Sequence, residues 1–100
     1  ANWADYVFAN DYKLMPLNEV EAFVKTNKHL PGIDSAEQLA KDGIDVAQMQ
    51  SKQMEKIEEL TLYIIDQDKK IAEQAKALEK NAKELEALKL QIQALIDKTK

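Results

Sequence analysis

Cysteine is absent, so no disulfide can staple the fold, and the single histidine, His29, leaves no Cys/His cluster able to ligate zinc. His29 sits in a turn between Lys28 and Leu30, where a structural or solvated role is expected rather than a catalytic one. Glycine and proline number only two each, too few for a phosphate-cradling loop. Asp5, Asp11, Asp34, Asp42 and Asp45 are scattered without calcium-loop spacing and read as caps and turns. No apolar run approaches the roughly 20 residues of a membrane span, and no signal peptide is visible. The net charge of −4 argues against nucleic acid as a partner. No cofactor, metal or catalytic residue is therefore expected, nor a membrane.

What is present is distributed unevenly. Trp3, Tyr6, Phe8, Tyr12 and Phe23 fall in the first 23 residues, and Tyr63 is the only later aromatic. After Met54 the composition narrows to Ala, Glu, Lys, Leu, Ile, Gln and Asp, the bias of a long helix or coiled coil. The opening Ala1-Asn2-Trp3 reads as the interior of a longer polypeptide. A core built from the first 50 residues alone would be marginal, and oligomerisation is the remedy left when cysteines and metals are missing.

Along the chain, Ala4 to Phe8 carries strand formers and Asn10-Asp11 a turn signal, so a short strand or extended arm is expected first. Pro16 opens a helix whose apolar stripe is Leu17, Val20, Phe23 and Val24; Asn18 and Glu21 have capping-box spacing, and Asn27 and Lys28 end it. Leu30-Pro31-Gly32-Ile33 predicts a tight turn. Ser35 with Gln38 caps a short helix from about Ala36 to Lys41, stopped by Gly43. Asp45 with Gln48 caps a third helix, free of Gly and Pro from Val46 to about Asp97, some 75–80 Å at 1.5 Å per residue. The expected domains are a head at 1–44 and an oligomerisation helix at 45–100.

With Ile57 as heptad position a, the a residues are Ile57, Ile64, Ile71, Leu78, Leu85 and Ile92. The d residues are Leu60, Gln67, Gln74, Asn81, Leu88 and Leu95. Six heptads without a stutter predict a coiled coil, because no other element is long enough to cover this edge. Ile at a with Leu at d is compatible with a dimer. Two features lean towards three strands: the amide d layers Gln67, Gln74 and Asn81, and Ala75, Ala77 and Ala82 at e and g, which widen the apolar face. The amides either fix register and parallel alignment or mark a weak central stretch. Glu84 at g and Lys89 at the next e could pair between chains. The charged residues along 55–89 read as the solvated face of the coil. Leu62, Tyr63 and Ile65 fall outside the seam and need a cover. Trp3, Tyr6, Phe8, Val20 and Phe23 are the candidates to pack there, so the head is expected to wrap the start of the coil. The fold class is thus mainly α, a small head followed by one long helix in a parallel trimeric coiled coil.

The runs Trp3-Ala4-Asp5-Tyr6-Val7-Phe8, Asp11-Tyr12-Lys13-Leu14, Lys28-His29-Leu30-Pro31-Gly32-Ile33, Gly43-Ile44 and Lys56-Ile57-Glu58-Glu59-Leu60-Thr61-Leu62-Tyr63 resemble the C-terminal region of tail-fibre-like surface proteins of Bacteroidetes and their phages. The resemblance covers about residues 3–66. In outline the chain is also similar to the intramolecular chaperone domain of phage tail-spikes, in which a Gly-hydrophobic-Asp turn leads into a trimeric helix; Gly43-Ile44-Asp45 matches that turn. The resemblance implies a homotrimer, on a virion or bacterial cell surface, that registers an upstream fibre shaft of the same polypeptide. Many tail-spike members cleave themselves at a Ser-Asp motif. Here the positions read Ala4-Asp5 and Asn10-Asp11, neither supplies a hydroxyl nucleophile, and no enzyme is expected. The rival functions are a self-cleaving chaperone peptidase and a protein-docking adapter in which the coil is a spacer.

Overall fold

A computed structural model describes residues 3–100. A 3-10 turn at Tyr6–Phe8 is followed by three helices: α1 (Leu17–Asn27), α2 (Ala36–Asp42) and α3 (Val46–Thr99). Residues up to Leu62 cluster into one compact unit, and Tyr63–Lys100 form a second.

The expected strand over Ala4 to Phe8 is not there; among the described residues no strand occurs. Tyr-Val-Phe favours a strand only when a neighbouring edge supplies hydrogen bonds. No edge exists here, so the backbone bonds to itself: Phe8 N–H donates to the Asp5 carbonyl and Ala9 N–H to that of Tyr6, both at 3.1 Å. The turn is entered through Asp5 at φ 84°, a left-handed conformation that costs a residue with a Cβ some energy.

Pro16 occupies the N-cap of α1 rather than its first turn, and its carbonyl accepts from Glu19 N at 2.9 Å and Val20 N at 3.0 Å. Asn18 therefore lies inside the helix and the expected capping box does not form; a proline fixed at φ −59° sets the start instead. Lys28 ends α1 in the left-handed region, its N–H bonded to the Val24 carbonyl at 2.8 Å, and Asn27 Nδ2 donates to the Phe23 carbonyl. In the following turn Ile33 N–H donates to the Leu30 carbonyl with Gly32 at φ 79°, the residue order and handedness of a type II turn.

Both remaining caps form as their spacing dictates. Ser35 Oγ accepts from Gln38 N, and Asp45 Oδ1 accepts from Gln48 N, each at 3.1 Å. Gly43 closes α2 at φ 80° and ψ −179°, a region nearly closed to other residues. From Asp45 onward nothing interrupts α3 for 54 residues.

Candidate functional site

Three carboxylates on α3 hold the N-terminal segment. Glu55, Glu58, Glu59 and Leu62 are spaced i, i+3, i+4, i+7 and share one helix face. Glu58 is only 5% exposed, and its Oε1 accepts from Asp5 N at 2.7 Å. The Tyr6 hydroxyl donates to Glu55 and the Tyr12 hydroxyl to Glu59. The two phenol rings lie 6.1 Å apart, tilted at 41°. Lys56 Nζ stands 2.9 Å from Glu59 and 3.4 Å from Glu55, and Gly32 passes close by: a Cβ there would meet Lys56 Nζ at 3.5 Å. Between these polar contacts, Val7 (1% exposed) and Ala4 form the buried apolar core of the unit.

The electrostatics follow from this placement. The hydrogen bond to the Glu55 carboxylate pushes the Tyr6 phenol up to about 12, with burial and the surrounding glutamates adding to it. Burial raises the Tyr12 phenol, and its bond to Glu59 raises it further. A phenolate in either place would face carboxylates across a hydrogen bond that had lost its proton.

This clasp corrects the reading of residues 55–59 as solvated coil surface: Glu58 is buried and Glu55 and Glu59 are half-buried. The available signal was the stripe itself, three carboxylates in line with Leu62. Of the residues expected to join head and helix, Tyr6 reaches α3 through Glu55. Trp3 and Phe8 stay exposed. Val20 and Phe23 are half-buried, with Phe23 edge-on to the His29 ring at 5.4 Å. Leu62 and Tyr63 are half-buried, and Ile65 is exposed.

In the heptad register the clasp residues Glu55, Glu58, Glu59 and Leu62 are f, b, c and f, on the side of α3 away from a and d. The a and d residues within the same unit, Ile57 and Leu60, are exposed. Farther along, Ile64, Ile71, Leu78, Leu85, Leu88, Ile92 and Leu95 are exposed as well, so the apolar seam residues range from 50 to 68%. Gln67, Gln74 and Asn81 are exposed between them. The ion pairs of the second unit, Lys70–Asp66 at 3.0 Å, Lys83–Glu79 at 3.4 Å and Lys80–Glu84 at 4.0 Å, join b, c, f and g positions and leave the seam clear. Glu84 thus has a partner within its own helix, next to the Lys89 pairing expected between chains.

Among the described residues no group of His, Cys, Asp or Glu could hold a metal ion, and no helix is long and apolar enough to cross a membrane. No protein-family model, no curated protein and no solved structure matches the chain.

Proposed function

We propose that this chain is a homotrimerisation and folding-registration module, acting like an intramolecular chaperone at the C-terminal end of a fibre or surface protein. The observation that carries this reading is the division of α3 into two sides. The head takes the b, c and f side with hydrogen bonds and a small apolar contact, and the a and d side is left uncovered. A head that covered the seam would make the helix self-sufficient. This one grips the helix and leaves its apolar edge free for another copy.

The magnitudes agree. Each seam Leu or Ile would gain about 1.5–3 kcal/mol on full burial. The amide d layers and the small Ala75, Ala77 and Ala82 favour three strands over two, and a shared axis sets all chains in one register. The resemblance to tail-fibre termini supports the same role at a virion or cell surface, where the partners are identical chains and the shaft they align.

Light scattering on the purified chain tests this reading. It predicts the mass of three 11.4 kDa copies at micromolar concentration. A single copy overturns self-association, and two copies overturn the trimer.

A further inference from the structure

With no cysteine in the chain, no disulfide closes the N-terminal segment. That segment holds two phenols side by side instead. Ala9 N–H donates to the Tyr6 carbonyl and Tyr12 N–H to the Ala9 carbonyl, each at 3.1 Å, and these two successive turns bring Tyr12 back beside Tyr6. The ring centroids stand 6.1 Å apart with the planes tilted at 41°, within the range in which aromatic rings meet edge to face. Each hydroxyl donates to a carboxylate of its own, Tyr6 to Glu55 and Tyr12 to Glu59, one turn apart on α3. Tyr6 is 43% exposed and has room to move, whereas Tyr12 is half-buried.

Hydrogen bonding explains either pair alone. Two such pairs with adjacent rings also meet the requirements of one reaction. A neutral phenol yields an electron readily only when a base within hydrogen-bond reach takes the proton in the same step. Glu55 and Glu59 already occupy that place. Ionisation beforehand is closed at neutral pH, because hydrogen bonds to these carboxylates and burial hold both phenols protonated, with Tyr6 pushed up to about 12. Two radicals formed on adjacent rings then need only a short slide to meet, and proximity favours that pairing over collision with another molecule.

We infer that Tyr6 and Tyr12 are a modification site, joined into a dityrosine by hydrogen peroxide acting through a haem peroxidase. Each phenol passes one electron to the oxidant and its O–H proton to the bonded carboxylate. The two radicals form one C–C bond between ring carbons ortho to the oxygens. Both C–H bonds at those carbons then break, and their protons return to the ring oxygens, which restores two phenols. The pair loses two electrons and two protons in all, and these cleave the O–O bond of the peroxide to give two waters. The product closes the loop from Tyr6 to Tyr12 and removes freedom from the unfolded segment, as a disulfide does elsewhere. Both rings and both carboxylates lie within the first unit, so the inference stands apart from the trimeric reading.

The test treats the full chain with hydrogen peroxide and a haem peroxidase at neutral pH, folded and in urea. The expected result is dityrosine fluorescence and a tryptic peptide 1–13 lighter by two hydrogen atoms. Cleavage before Asp11 should then fail to separate Tyr6 from Tyr12. In urea the yield should fall on the order of tenfold, because the rings are no longer held together. Tyr12→Phe should give no such peptide. Equal yield in urea, added oxygen in place of a link, or linkage only between chains overturns the site. The double variant Glu55→Gln with Glu59→Gln keeps oxygen acceptors but loses the bases, and should couple roughly tenfold to a hundredfold more slowly. Coupling as fast as in the parent chain overturns the part given to the carboxylates. The urea comparison is made on the unsubstituted chain and decides the site whether or not that variant folds.

Discussion

One helix, α3, is covered in two different ways along its length. Up to Leu62 its b, c and f side is covered by its own chain, through Asp5, Tyr6, Tyr12 and the small side chains Ala4 and Val7. From Ile64 to Lys100 every residue is exposed. The contrast separates two tasks. The clasp is polar and local, and fixes where the head sits on the helix. The seam is apolar and runs through both regions, so the same edge is open whether or not a head covers the other side.

The sharpest break between the two regions is expected from charges in the distal seam. Leu78→Asp with Leu85→Asp removes six large apolar side chains from a trimer, on the order of 10 kcal/mol. Light scattering should then give a single copy, and circular dichroism should lose most of the helix signal, because a solitary helix of this composition is marginal without a partner.

Glu58→Ala acts on the clasp alone. It leaves the Asp5 N–H without its charged acceptor and costs about 1.5–3 kcal/mol. Proteolysis should become faster in the first 15 residues while the solution mass is unchanged. A loss of the trimer in this variant would show that the two regions are not separable.

Alkali sharpens the same division. Both phenols ionise later in the folded head than in the unfolded chain, whose tyrosines titrate near 10.0. The clasp's contribution is therefore complete below that pH and is lost as pH rises through the folded value, about 12 for Tyr6. Because Tyr6 is nearly half exposed, solvent screens its share, and the slope falls well below the ceiling of about 1.4 kcal/mol per pH unit for one group. Head unfolding followed by Tyr fluorescence between pH 9 and pH 12, flattened in Tyr12→Phe, measures it.

The smallest effect is a gain. Asp5 holds φ 84°, which glycine adopts freely, so Asp5→Gly should stabilise the head by roughly 0.5 kcal/mol, visible as a small rise in its melting midpoint.

Much of this was legible in the sequence because it is local. Ser35 and Asp45 cap their helices from three residues away, and Gly43 and Gly32 stand where positive φ is required. The long helix followed from composition and periodicity alone. The clasp was not legible, because Asp5–Glu58 spans 53 residues of sequence and joins a backbone N–H to a side chain that also suits a solvated surface. The Tyr6–Phe8 segment misled for a related reason: its side chains favour a strand, and only the missing sheet edge decides against one. Pro16 outweighed the Asn18–Glu21 spacing because ring geometry fixes φ and a capping side chain only biases it.

The central claim is that the a and d edge of α3 is covered by identical chains running in the same direction and register. The absence of native cysteine allows a direct test with one introduced thiol per chain. Under mild oxidation, chains carrying Leu95→Cys should cross-link to one another rapidly in pairs, up to two of the three chains in each trimer. Cross-linking only when Leu60→Cys chains are mixed with Leu95→Cys chains would mean antiparallel pairing and would contradict the account.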